Sequence, residues 1–170
     1  IGLLTKPVNG SGGNISGIEL SASLPFNMLT KALDGFGVEA SYSDTASSIN
    51  LATAGVQVDN IGTSTIPLPG LSKQVSNIAL YYERSGFSAR VAQRYRSDFV
   101  GEVSDFTGDR KLTYIKAETV SDLQLGYEFQ SGPIKGLSIL LQALNVGNSP
   151  YIRYKDTYSN EVEKIKFGRT

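Results

Sequence analysis

The sequence predicts an all-β fold, an antiparallel meander, because apolar and polar residues alternate in six long segments. Successive side chains of a β-strand point to opposite faces of the sheet, so this period indicates strands with two unlike faces. One face is apolar with Gln93 as its plainly polar exception, and the other is polar and charged. The predicted strands are Asn14–Leu24, Gly35–Ser43, Val75–Glu83, Phe87–Arg96, Asp122–Phe129 and Leu137–Leu144.

The links between these segments are short and long by turns, which is the second observation. The five links are, in chain order, Pro25–Asp34, Asp44–Gln74, Arg84–Gly86, Ser97–Ser121 and Gln130–Gly136, and a further long stretch, Asn145–Lys166, follows the last segment. Loops longer than about 12–15 residues are uncommon in compact domains. Bacterial outer-membrane barrels, in contrast, combine short turns on one side with long loops on the other. The pattern therefore predicts part of a transmembrane β-barrel with long external loops and short periplasmic turns.

The spacing of aromatic residues agrees with a membrane-spanning strand. Phe87 and Tyr95 lie on the apolar face of one predicted strand, and at a ~40° tilt they are about 20 Å apart along the membrane normal. The apolar band of such barrels is about 25 Å tall and is bounded by aromatic girdles. The aromatic residues near the short-turn side are Phe26, Phe36, Phe87, Tyr127 and Phe129. They are expected to form one girdle.

The composition excludes several classes of function. The 170 residues suit one β domain or part of a larger one, and 16 basic residues cancel 16 acidic ones. That balance leaves no net charge to attract nucleic acid, so no nucleic-acid partner is expected. The absence of Cys and His removes disulfides, thiolate chemistry and the usual general base at neutral pH. The sequence also has no nucleophile elbow and no metal-ligand spacing. We therefore expect that the chain is not an enzyme and uses no cofactor.

One long link carries four carboxylates that could hold calcium through oxygen ligands. They are Glu102, Asp105, Asp109 and Glu118. They lack the spacing and the central Gly of an EF-hand loop, so solvated loop charge is the favoured interpretation. No metal site is therefore predicted.

Charged residues on the polar face give the candidate site. The arginines are Arg90, Arg94 and Arg96, and the carboxylates on or near neighbouring strands are Glu39, Glu83 and Glu128. These groups are favoured to form cross-strand ion pairs inside the barrel, because any water-filled lumen needs such a lining. The alternative is that Arg94 and Arg96, toward the outer mouth, meet an anionic ligand. Tyr95 between them points to the apolar face and should be indifferent to the substrate.

The end of the chain resembles a known family. The stretch Leu141–Tyr151 is similar to the apolar-strand, Asn-Leu-Phe-like, then Tyr signature near the C-terminus of TonB-dependent outer-membrane receptors. Val146-Gly147 stands here where Leu-Phe is more usual. Phe167–Thr170 resembles the Gly-Arg opening of that family's last strand, which usually closes on an aromatic residue that this chain does not reach. Gly17–Leu20 and Tyr95–Ser97 resemble recurring strand pieces, so the resemblance covers about Gly13 to Thr170.

The resemblance implies that residues 1–170 are the C-terminal fragment of a large receptor barrel, with the plug domain and final strand absent. In such receptors the barrel takes up a scarce nutrient, which across the family can be a siderophore, cobalamin or an oligosaccharide. The implied location is the bacterial outer membrane. The implied partners are outer-membrane lipid, the receptor's own plug domain, an unidentified small-molecule substrate and, through the missing N-terminal part, TonB.

Two alternatives remain open from the sequence. A passive porin-like barrel would need neither a plug nor TonB. A soluble β-sandwich that serves binding or adhesion would pack the same apolar face against a second sheet.

Overall fold

A computed structural model describes residues 12–50, 65–105, 110–155 and 161–169. These residues form strands and two 3-10 turns, Phe26–Met28 and Lys31–Leu33. The strands are β1 Gly13–Pro25, β2 Phe36–Asn50, β3 Thr65–Ile66, β4 Gln74–Arg84, β5 Phe87–Arg96, β6 Phe99–Asp105, β7 Arg110–Ile115, β8 Glu118–Glu128, β9 Ser138–Ala143, β10 Tyr151–Lys155 and β11 Glu161–Ile165. Within these residues no helix has the length and apolarity needed to cross a bilayer.

The larger sheet is an antiparallel meander, as predicted. Its strand order is β1-β2-β4-β5-β8-β9, and β3 pairs with the far end of β2. The register keeps each face uniform: Leu80 of β4 lies between Val38 of β2 and Val91 of β5. Further along the same row, Val91 pairs with Leu123 of β8. Apolar positions therefore meet across every strand pair, and the all-β meander is confirmed.

Two strands are longer than the alternation predicted. β2 continues to Asn50 and β8 begins at Glu118. Both extensions lie at the long-connection end of the sheet, where most of the added residues are polar whichever face they lie on, as in Asp44–Asn50. A strand that has left the apolar band no longer needs two unlike faces, so its residues lose the alternation that identified the rest.

The β4–β5 link is the tight hairpin that the sequence predicts. Ser85 and Gly86 have φ angles of 52° and 84°, the left-handed region that a two-residue hairpin turn requires at both positions. Gly86 also lies close to the end of β8, since a Cβ there would meet the backbone carbonyl of Glu128. The three short links all lie at one end of the sheet, which we call the short-turn end.

Two of the long links contain pairs of strands of their own, which the sequence did not predict. Ser97–Ser121 contains β6 and β7, and Asn145–Lys166 contains β10 and β11. These strands form a second sheet of four strands in the order β11-β10-β7-β6. A hydrogen bond joins it to the link between β3 and β4, where the N–H of Gly70 donates to the carbonyl of Val100 at 2.7 Å. Such pairing satisfies backbone groups that a long open loop would leave to water.

Burial differs sharply between the two sheets. The buried apolar residues at the long-connection end are Ile66, Val100, Ile115, Ile152 and Tyr154, and the larger sheet adds Ala79. Its apolar face is exposed instead: Leu20 keeps 63% of its surface, Leu80 53% and Leu141 65%. A β-sandwich requires that face to be covered, and in the described residues it is not.

Candidate functional site

The polar face of the larger sheet is concave and encloses a groove of about 690 Å³. The groove is lined by side chains from β1, β2, β4, β5, β8 and β9, because alternate residues of each strand point into it. Its polar lining residues include Ser41, Asn77, Arg90, Arg94, Asp122 and Gln124. Concave surfaces with several convergent polar groups are the usual form of a small-molecule site.

Three arginines on the polar face of β5 form a ladder of ion pairs. Arg90 reaches over β4 to Glu39 of β2, with 3.2 Å between nitrogen and oxygen. Arg94 lies 3.3 Å from Asp122. Arg96 lies 2.8 Å from Glu118, and its guanidinium carbon is 4.8 Å from the ring centre of Phe99.

The two candidate ligand residues occupy different surroundings. Arg94 lines the groove, and its side chain remains 62% exposed. The side chain of Arg96 is 35% exposed and is held between Glu118 and Phe99 at the start of the second sheet. Among the two, Arg94 is therefore the residue that is open to a ligand in the groove.

The acids that pair with this ladder differ in part from those the sequence singled out. Glu39 pairs with Arg90. Glu83 and Glu128 lie at the short-turn end and form no ion pair in the described part of the chain. The partners of Arg94 and Arg96 are instead Asp122 and Glu118. Only the register of β5 and β8 reveals these pairs, because it places Arg96 opposite Glu118 and Ala92 opposite Asp122.

Asp122 also anchors the chain that leaves β9. Its Oδ1 accepts the backbone N–H of Asn145 at 2.9 Å. Asn145 has a φ of 51°, and its side-chain amide donates to the carbonyls of Ser149 and Gly168. Asn tolerates this left-handed conformation better than most residues, which explains an Asn at the end of this strand.

The charges of the groove are internally balanced. Arg90 and Arg94 are matched by Glu39 and Asp122. Neutral hydrogen-bonding groups fill the space between them, as where Asn77 donates to Ser41 at 3.0 Å. This surface can hydrogen-bond a polar ligand from many directions. Within the described residues no group of acids is arranged to hold a metal ion.

Two of the four carboxylates weighed for calcium form ion pairs. Glu102 of β6 lies 2.7 Å from Arg153, and Glu118 pairs with Arg96. The side chain of Asp105 and all of Asp109 lie outside the described residues. Arg153 also reaches Glu163 at 3.2 Å, and the hydrogen bond to Glu163 raises the pKa of its guanidinium above the ordinary value. The group therefore stays charged and ties three strands of the second sheet together.

Aromatic rings cross the apolar face near the short-turn end. Phe36 and Tyr82 have ring centres 4.5 Å apart, and those of Tyr82 and Phe87 are 6.0 Å apart. Phe87 pairs directly with Tyr127. We call Phe36, Tyr82, Phe87 and Tyr127 the aromatic row. At the other end of the band Tyr42 and Tyr95 flank Ser76, in the arrangement that two girdles would need.

Comparison with known proteins gives one assignment. Residues 2–146 match the family described as TonB dependent receptor-like, beta-barrel. No curated protein and no solved structure matches the chain. The family comprises outer-membrane transport proteins, not enzymes, which act with a plug domain and with TonB. With the match covering most of its length, and with a meander of two-faced strands, the chain belongs to the TonB-dependent receptor β-barrel family.

Proposed function

We propose that residues 1–170 are the C-terminal barrel portion of a receptor that actively imports a scarce nutrient across the bacterial outer membrane. The apolar face contacts lipid, and the concave polar face lines the lumen, where it meets the receptor's own plug domain. The short turns face the periplasm and the second sheet faces outward. One observation carries the proposal: a single sheet combines an exposed apolar face with a charge-balanced, concave polar face.

The nutrient in this proposal is a siderophore, cobalamin or an oligosaccharide, and an anionic group on it meets the arginines near the outer mouth. Arg94 supplies the contact because its side chain is open to the groove. Arg96 assists from the edge, held by Glu118 and Phe99. A guanidinium can bind a carboxylate or phosphate through two parallel N–H groups, which suits this role.

Substitution of both arginines tests the ligand contact. In the full-length receptor, Arg94→Ala with Arg96→Ala should weaken uptake of an anionic ferric siderophore by about tenfold, the loss of one charge-assisted contact. Tyr95→Phe is the matched control, since Tyr95 alternates with the two arginines and belongs to the apolar face. Unchanged uptake in the double variant would remove both arginines from any binding role.

Dependence on TonB tests active transport. Cells that produce the full-length receptor, with TonB intact or deleted, are given labelled cyanocobalamin, a ferric siderophore or maltohexaose. Accumulation of one probe above its external concentration only when TonB is present supports the proposal. Equal entry with and without TonB would support the passive porin-like alternative, and recovery of the receptor from water without detergent would support a soluble module.

A further inference from the structure

Strand alternation separates positive from negative side chains at the short-turn end of the larger sheet. Arg84, the last residue of β4, stands directly opposite Phe87 and therefore lies on the apolar face. Glu83 precedes it, stands opposite Ser88 and lies on the polar face. Glu128 of β8 follows Tyr127 and is likewise on the polar face. At the short-turn end, the carboxylates of Glu83 and Glu128 thus lie on the polar face, and the guanidinium of Arg84 lies on the apolar face.

The neighbouring short links add two more cations. Lys31 lies between β1 and β2, and Lys135 lies between β8 and β9. Both lysines and Arg84 are exposed, and in the described part of the chain none of them forms an ion pair. Asp34 is the one carboxylate within the three short links. We call Arg84, Lys31 and Lys135 the cationic rim. Its three charges exceed the single carboxylate of the short links, while Glu83 and Glu128 lie apart from Arg84 on the polar face.

Arg84 lies immediately beyond the aromatic row. It is two residues past Tyr82 and opposite Phe87. Gly35 lies close against this end of β4, because a Cβ there would meet the carbonyl of Glu83, the ring of Tyr82 and the Cβ of Arg84. Along the apolar face, in the direction of the short turns, aliphatic residues are therefore followed by aromatic residues and then by a cation.

This order matches the layers of one leaflet of a bilayer. Aromatic side chains collect at the boundary between acyl chains and headgroups. Arginine and lysine lay their carbon stems along apolar surface and extend the charge to the polar layer, and the guanidinium fork fits a phosphate. We propose that the cationic rim binds the phosphate of an anionic phospholipid in the leaflet next to the short turns. The inference rests on the proposed membrane-spanning function.

Native mass spectrometry of the full-length receptor in detergent tests this inference. The receptor is titrated with phosphatidylglycerol and separately with phosphatidylcholine, and the dissociation constant of the first bound lipid is recorded for each. Arg84→Gln should weaken phosphatidylglycerol binding by about fivefold, as expected for one basic group near an anionic headgroup, and leave phosphatidylcholine unchanged. Arg84→Lys should restore most of the preference. Substitution of all three rim residues by Gln should remove it.

Two controls separate this site from general charge effects. Lys73→Gln removes the same charge from an exposed lysine at the long-connection end and should leave lipid preference unchanged. Glycerol 3-phosphate, the soluble counterpart of the headgroup, should not compete at equal concentration. Competition by it would assign the rim to a free phosphate, and an equal loss in Lys73→Gln would reduce the effect to net charge; either result overturns the inference.

The outcomes also separate this inference from the proposed function. A receptor that needs detergent and is recovered from the outer membrane, yet binds both lipids equally, contradicts the lipid site alone. A receptor that is stable in water and binds neither lipid contradicts the membrane-spanning function and the lipid site with it.

Discussion

Asp122 joins Arg94 to Asn145 through the two oxygens of one carboxylate. Oδ2 lies 3.3 Å from the guanidinium of Arg94, and Oδ1 accepts the backbone N–H of Asn145 at 2.9 Å. The first contact is in the groove and the second is at the end of β9. A residue that lines the proposed lumen therefore also holds the chain that leads to the second sheet.

Variants of Asp122 should separate these two contacts. Asp122→Ala removes both and should lower the free energy of unfolding of the full-length receptor by about 1–3 kcal/mol, mainly because the part-buried N–H of Asn145 loses its acceptor. Asp122→Asn keeps an acceptor oxygen and should cost less than half as much, since an exposed ion pair contributes little. Amide hydrogen exchange at Asn145 and denaturant unfolding in detergent measure the two effects. Gln124→Ala, a neighbouring groove residue, is the control; equal losses at both positions would contradict the anchoring role.

Tyr81 covers Gly37 on the polar face, where the pleat leaves room for no side chain at residue 37. A Cβ at Gly37 would overlap the ring tip of Tyr81. Gly37→Ala should therefore displace the ring and cost about 1–3 kcal/mol, as overpacking usually does. Gly147→Ala serves as the control, because nothing lies within 4 Å of a Cβ there and its φ is not positive. The melting temperature of the full-length receptor measures both, and an unchanged value for Gly37→Ala would show that the ring is loosely placed.

The larger sheet is predictable because its strands separate two unlike environments. β5 was predicted as Phe87–Arg96 and has those bounds, since Phe87, Val91 and Tyr95 alternate with arginines along its whole length. The hairpin at Ser85-Gly86 was predictable for a similarly local reason, as Gly readily takes a positive φ. Where the environment is the same on both faces, as in Asp44–Asn50, the alternation disappears and the strand end is missed.

The second sheet depends on contacts that no local pattern carries. β7 pairs with β10, although about forty residues separate Tyr114 from its partner Tyr154. β6 has a register shift between Val100 and Glu102, which breaks the two-residue period within a short strand. The pairing of Arg94 with Asp122 was missed for a related reason: the register of β5 and β8 follows a link that the sequence alone left as a loop.

Arg153 should stabilise the second sheet by joining three of its strands. Arg153→Gln removes ion pairs to Glu102 of β6 and Glu163 of β11 and should speed amide exchange in β11 by about two- to fivefold, since partly exposed pairs are worth about 0–1 kcal/mol. The pKa of the Arg153 guanidinium is raised, so this partner stays charged, and the two ion pairs should weaken as salt is added. Lys155→Gln is the matched control on the same strand. Equal amide exchange rates in β11 for the wild type and Arg153→Gln would contradict this stabilising role.

Adjacent residues of β9 test most directly whether the apolar face meets lipid. Leu141 lies on that face with 65% of its surface exposed, and Gln142 lines the groove. In water, Lys at an exposed Leu position costs little, but on the lipid side of a barrel it costs about 2–4 kcal/mol near the midplane. The measurement is the amount of folded full-length receptor in the outer membrane for Leu141→Lys and Gln142→Lys. We expect a marked loss for Leu141→Lys and near-normal assembly for Gln142→Lys, whereas equal assembly of both variants would contradict a lipid-facing apolar surface.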